Sequence, residues 1–291
     1  MKPTWGERIF LKVNYIVLFL AGLSCLLPIV HIASLSMSSG HAILSGDVGL
    51  WPVEPTWIAY KNLVNGTPIV NSLKNSIIIT VVGTSLNMLF TIFAAYPLSR
   101  KHFYAKKFFT LAIVFTMLFS AGLIPNFLLV KSLGLVGNYG AIWIPGLISV
   151  YNLLVLRSFF ENIPDELEEA ARMDGCSEWR LIIQIVLPLS KPVLATLALF
   201  YGVNHWNSFF NLLIYINDSN KFNLSVLVQN MVRSQSIIAE LAQLNSEDLA
   251  KITPESVISA GIMVMILPII AVYPFLQKYF VNGVMIGAIK G

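Results

Sequence analysis

The chain has 291 residues, 56% of them hydrophobic and only 12% charged, with a mean hydropathy of +0.73. Soluble domains carry about 25% charged residues, so this composition excludes a water-soluble fold and defines an integral membrane protein. The net charge of +4 comes without the basic low-complexity tract that follows a phosphate backbone, which excludes a nucleic-acid partner.

A helix needs about 20 apolar residues to cross the hydrocarbon core, and six runs meet that length: 13–34, 74–98, 108–130, 139–158, 190–215 and 256–278. In lipid the backbone satisfies itself only as a helix or a closed barrel, and these runs lack the alternation of barrel strands. The expected fold is an all-α membrane bundle in one transmembrane domain, residues 1–291. The first run follows a basic start and ends near Ala33-Ser34, but it exceeds the roughly 7–15 residues of a signal h-region and is read as a retained helix.

Basic residues set the orientation. Lys2, Arg8, Lys12, Arg100, Lys101, Lys106, Lys107, Arg157, Arg172, Arg180, Lys191, Lys278 and Lys290 put 13 of the 19 Lys and Arg on one side, which marks it as cytoplasmic. Both termini and residues 161–188 then face inward, while 35–73, 131–138 and the 216–255 loop face outward. Cys25 and Cys176 lie at different depths, which disfavours a disulfide. His31, His41, His102 and His205 have no metal-site spacing, so no metal is assigned.

The 161–188 loop is the most informative stretch. Pro164-Asp165 opens it, and Asp165 with Glu168 three residues on has the form of a capping box, with Glu166 and Glu169 adding negative charge near the helix start. Asp174-Gly175 supplies a helix stop. Ser177 can cap a second segment, Trp179 to Val186, that leads back to the membrane at Pro188. The outcome is a helix-turn-helix elbow, which an interfacial linker would also display.

Its spacing narrows the choice. Glu169-Ala170-Ala171, three residues, Gly175, nine residues, then Ile185-Val186-Leu187-Pro188 resembles the EAA loop of the membrane subunits of ATP-binding-cassette (ABC) importers. Asp174, the run Leu187-Pro188-Leu189-Ser190-Lys191-Pro192, Trp206-Asn207-Ser208-Phe209 and the ending Gly283 to Gly291 are similar to carbohydrate-uptake permeases. They resemble the maltose-type inner subunit, in the branch associated with oligosaccharide uptake in Gram-positive bacteria.

That resemblance implies a type I ABC importer permease with six transmembrane helices and a cytoplasmic coupling helix. It implies a multi-pass protein of the bacterial cytoplasmic membrane, paired with a second, different permease, two ATPase subunits and an extracytoplasmic sugar-binding protein. Glu169, Ala170, Ala171, Asp174, Gly175, Ile185, Leu187 and Pro188 would form the ATPase-coupling set. Glu169 would meet a basic partner, the alanines would let backbones approach, and Gly175 would make the turn. ATP and Mg would be bound by the ATPases, because this chain has no Gly-rich phosphate loop ending in Gly-Lys-Ser/Thr. It is therefore read as a non-catalytic subunit without a cofactor of its own.

In the fifth run Tyr201, Asn204, Asn207, Ser208 and Asn211 fall on one side if the helix is continuous. With Trp206 as an aromatic wall they form a candidate sugar pathway, although amides also hydrogen-bond between helices. His205 lacks an intramembrane acid to relay a proton and is read as packing, as are Asn75, Asn87 and Asn152. Pro97, Pro125, Pro145, Pro268 and Pro274 are expected to kink or end helices.

Leu224 to Leu244 reads as an amphipathic portion of the outer loop, either a docking element for the sugar-binding protein or a plain lid. Gly283, Gly287 and Gly291 read as a flexible cytoplasmic tail. A secondary solute transporter would need mid-membrane ion-coupling groups that the runs lack. A membrane assembly or anchoring protein would need neither the elbow nor the amides.

Overall fold

The computed structural model describes residues 4–119, 121–242 and 254–288, and every regular element among them is a helix. The chain divides into two compact units, one of Met1–Val70 with Leu227–Leu267 and the other of Asn71–Val226 with Pro268–Gly291.

In the first unit, α1 (Trp5–Ser36) starts at a capping box in which the Glu7 N–H donates to the Thr4 hydroxyl and the Thr4 N–H donates to the Glu7 carboxylate. Ser34 and Ser36 are its buried residues, while side chains such as Ile16 and Phe19 are exposed. So wide an apolar surface belongs against lipid or another chain. α2 (Gly40–Leu44) and α3 (Ile58–Gly66) follow. Ser38 holds the intervening segment, donating to the Ser34 carbonyl at 2.7 Å and accepting from the Val53 N–H at 3.1 Å.

The helix α4 (Ile69–Ser99) leads into the second unit. After it come α5 (Lys106–Leu118), α6 (Leu123–Ser132), α7 (Gly140–Trp143) and α8 (Val150–Glu161). Next are α9 (Asp165–Met173) and α10 (Glu178–Leu181), a π-helical turn Ile182–Val186, and α11 (Leu187–Leu189). α12 (Lys191–Trp206), α13 (Phe210–Tyr215), α14 (Leu224–Ala242) and α15 (Pro254–Ala288) complete the series.

Three helices among the described residues are long and apolar enough to cross a bilayer alone: α1, α4 and the Pro254–Pro274 part of α15. Two bent pairs, α5 with α6 and Glu178–Leu189 with α12, bring the number to five. The expected runs 108–130, 139–158 and 190–215 are therefore each interrupted. Gly122 breaks the first at φ +84°, a conformation that costs other residues strain. Pro145-Gly146 separates α7 from α8, and α8 with 12 residues reaches only about 18 Å. Asn207 ends α12 and Ser208-Phe209 precedes α13, so the third run is not one helix. At the other end, α15 stays helical through Ala288, which corrects the flexible-tail expectation for Gly283 and Gly287; Gly291 and Lys290 lie outside the described residues. The Leu224–Leu244 portion is helical to Ala242, with Leu224, Val226 and Val228 buried, and 243–253 lie outside the described residues.

Apolar burial gains little between helices already in lipid, so close packing and interhelical hydrogen bonds carry more of the association. The second unit shows both. Asn87 Nδ2 on α4 donates to the carbonyls of Gly146 at 2.6 Å and Leu147 at 2.9 Å, satisfying the backbone left open between α7 and α8. The Asn87 Oδ1 meets His205 Nε2 of α12 at 2.5 Å. One turn on, the Thr91 hydroxyl meets the Tyr201 hydroxyl at 2.7 Å, and that same oxygen accepts from the Ser149 N–H at 3.1 Å. Asn75 donates to the carbonyls of Asn220 and Phe222, and Asn152 is buried. The packing roles expected of His205, Asn75 and Asn87 are thus what the hydrogen bonds show.

The α4–α12 approach depends on Gly83, where an added Cβ would lie 2.6 Å from His205 Nε2. Gly83→Leu is expected to force the helices apart at a cost of about 1–3 kcal/mol. A lower melting temperature in detergent checks this; an unchanged melting temperature contradicts it.

Candidate functional site

The elbow is built from α9 and α10 and their connection. α9 begins after Pro164, whose φ of −57° suits a helix start, but no side chain caps it. The expected Asp165–Glu168 capping box does not form. Asp165 lies within the first turn and pairs with Lys101, while Glu168 turns inward, 7% exposed, and pairs with Arg100. The basic segment after α4 offers each carboxylate a full positive charge, where the helix start offers only the partial charge of N–H dipoles.

The helix stop is as expected. Asp174 is the C-cap and Gly175 takes φ +74°. The Gly175 N–H donates to the Arg172 carbonyl and the Cys176 N–H to the Ala171 carbonyl, both at 3.0 Å. That pair is the Schellman pattern, which reverses the chain and satisfies two end carbonyls. Ser177 occupies the N-cap position of α10 in backbone conformation, but its hydroxyl accepts no capping hydrogen bond from the helix N–H groups.

The inner side of the elbow packs on α4 and α8. Ala171, Leu181 and Val186 share a buried cluster with Ala95, Leu156 and Phe160, and Cys176, Ile182 and Ile185 pack around it. Tyr96 donates to Glu178 at 2.8 Å, Phe93 meets Trp179 edge-on at 5.9 Å, and the Arg100 guanidinium sits 4.4 Å above the Tyr96 ring. Arg172 pairs with Glu178 across the turn at 2.5 Å. Glu161, at the end of α8, takes Lys106 at 2.7 Å and Arg157 at 3.0 Å.

The outer side is exposed. Glu169, Ala170, Asp174, Gly175 and Pro188 are exposed, Leu187 is half-buried, and Met173 is 88% exposed at the tip. Of the eight coupling residues proposed from sequence, Ala171 and Ile185 therefore anchor the elbow from within. Glu169 makes no hydrogen bond or ion pair among the described residues and borders a cleft of about 900 Å³ lined also by Arg100, Lys106, Glu161, Glu168 and Arg172. The basic residues of 100–106 were legible only as an orientation signal. Their clue was a base-only loop matched to an acid-rich helix start.

The amide stripe is split. Tyr201 is buried against Thr91 and Ser149, and Trp206 is 8% exposed. Asn204, Asn207 and Asn211 are exposed, Ser208 is half-buried, and Asn207 and Ser208 stand in the break after α12. Trp206 also lines a mostly apolar groove of about 790 Å³, with Thr80, Thr84 and Ser85 of α4, Gly202 of α12 and Tyr273 of α15.

An all-helical membrane bundle, with broken helices and a charged elbow fastened to the end of one long helix, has the architecture of an ABC importer permease. The chain matches the family of binding-protein-dependent transport system inner membrane components over residues 87–286, and it belongs to that family. It is 41% identical to Protein LplC of Bacillus subtilis, covering 100% of this chain and 98% of the relative. It is 38% identical to the polygalacturonan/rhamnogalacturonan transport system permease protein YtcP of the same organism, over 98% and 99%. A crystal structure of a bacterial ABC transporter involved in the import of the acidic polysaccharide alginate contains a chain that superposes with a TM-score of 0.86 at 34% identity. The match covers 96% of this chain and 99% of that one.

The ion pairs around the elbow make its stability depend on acid. The hydrogen bond from Lys101 holds the Asp165 carboxyl below its ordinary 3.8 and in turn raises the Lys101 ammonium. Burial alone would raise Glu161, but the hydrogen bonds from Lys106 and Arg157 outweigh it and hold that carboxyl below 4.5. Burial lowers the Arg100 guanidinium. A depressed carboxyl contributes stability that is complete above its unfolded value and is lost as pH falls through the folded one. Protease protection of the 161–181 segment should therefore hold above about pH 5 and fall below the ordinary carboxyl values. Lys101→Ala should remove the Asp165 share of that dependence. Protection independent of pH down to the acid limit contradicts the pairing.

Proposed function

We propose that this chain is the transmembrane permease subunit of an ATP-driven importer of carbohydrates, most simply oligosaccharides. The observation that carries the reading is the elbow itself. One side is held to the bundle by buried contacts, and the other presents Glu169, Ala170 and the Met173 tip to a partner. Relatives named for rhamnogalacturonan, arabinooligosaccharide and galactooligosaccharide transport support the substrate class, as does the alginate importer.

The working complex in this reading contains a second, different permease, two ATPase subunits holding ATP and Mg, and an extracytoplasmic sugar-binding protein. Both termini and the elbow lie in the cytoplasm, and the chain itself performs no hydrolysis. Closure of the ATPases on ATP would push the elbow and switch the bundle from inward-open to outward-open. The sugar would pass the exposed amides Asn204, Asn207 and Asn211, which offer donors and acceptors to hydroxyl groups. Tyr201 and Trp206 would support that surface from behind.

Two substitutions test the elbow. Gly175→Pro cannot adopt φ +74° and loses the N–H bonded to Arg172, and Glu169→Ala removes the outward-facing carboxylate. Both are expected to lower ATPase co-purification and uptake while the bundle stays folded. Unchanged co-purification and uptake count against the elbow as the ATPase contact. Asn207→Leu should reduce oligosaccharide uptake about tenfold, the scale set by unpaired polar groups, with complex assembly intact. Normal uptake across an oligosaccharide panel would assign the amides to packing.

A further inference from the structure

We propose that Arg100 and Glu168 are positioning residues that fasten the elbow to α4, so that force applied to the elbow enters the bundle along α4. This rests on the reading that the elbow contacts an ATPase, and it adds the route by which the motion leaves.

The two covalent exits from the elbow are poor struts. Toward α8 the chain passes through the non-helical Asn162–Pro164 turn. Toward α12 it passes a π-helical turn and then an 83° bend at Ser190. Each exit changes direction before it reaches the next long helix.

α4 offers a stiffer path. It is a 31-residue helix that continues through Pro97, and its last turns, with the residues just after them, grip both limbs of the elbow. Arg100 and Lys101 hold Glu168 and Asp165 of α9, while Phe93 and Tyr96 hold Trp179 and Glu178 at α10. The Arg100–Glu168 pair is shielded, with side-chain exposures of 18% and 10%, and Arg100 is stacked on Tyr96 as well. Shielding makes such a pair far less screened than an exposed one.

Further along the same helix, Asn87 and Thr91 reach His205 and Tyr201 of α12 and the 146–149 backbone. A continuous set of contacts thus runs from the elbow to the helix that carries Asn204 and ends at Asn207.

The test uses the whole transporter in proteoliposomes, with Cys25 and Cys176 replaced by Ser. Lys101→Cys with Asp165→Cys, joined by a short thiol-to-thiol cross-linker, should retain at least about half of the uncross-linked uptake, because the joined parts move together. A loss of about tenfold or more on cross-linking would show that the elbow must swing away from α4 and would overturn the proposal. In parallel, Arg100→Glu should keep ATPase subunits in the purified complex yet lower uptake per ATP hydrolysed about tenfold, a coupling loss of the size seen along packed networks. Adding Glu168→Arg should restore it. Wild-type coupling in Arg100→Glu, or loss of ATPase association without rescue by the reversed pair, would also overturn it. Failure of the docking reading is distinct: there Glu169→Ala leaves ATPase association untouched, whatever the cross-link does.

Discussion

The shielded pairing of Arg100 with Glu168 governs how the rest of this structure is read. An acid at the fourth position of a surface helix would ordinarily face water and help cap the helix start. Here it faces inward, because a guanidinium stacked on Tyr96 waits there. Removing one partner would leave the other without its counter-charge beside a cleft only partly open to water, at a cost below the roughly 3–5 kcal/mol of fully buried pairs. The orientation of α9 follows: with Glu168 and Ala171 turned in, Glu169, Ala170 and Met173 are turned out.

A second constraint comes from the membrane. Breaks in helices leave backbone groups that lipid cannot satisfy, and side chains on α4 and α12 supply the missing partners. Asn87 serves the open carbonyls after Pro145, and Tyr201 serves the Ser149 N–H while touching Thr91. The permease therefore contains interruptions without orphaned backbone at these points, and α4 is the common support. A transport subunit needs helices that bend at defined places, and these breaks are held by named hydrogen bonds.

Features governed by local chemistry were legible in the sequence. The helical class follows from apolar run length, and the elbow from spacing, because the reversal at Gly175 needs only a glycine in the left-handed conformation and its neighbours' carbonyls. Long-range partners were not legible. Nothing near Glu168 announces that its base lies at position 100, so the local capping reading won on paper and lost in the structure. The amide stripe failed similarly: projecting Tyr201 to Asn211 on one helix ignored the break at Asn207 and Ser208. Pro145-Gly146 did carry a local signal for the interruption of the fourth run.

The central claim is that the exposed tip of the elbow touches a nucleotide-hydrolysing subunit inside the cell. Placing a photo-reactive side chain at Met173 in the assembled transporter and identifying what it captures tests this most directly. The account predicts a covalent product with the ATPase subunit whose yield changes when ATP is added. Capture of lipid alone, or labelling of that position by a membrane-impermeant reagent applied from outside the cell, would contradict it.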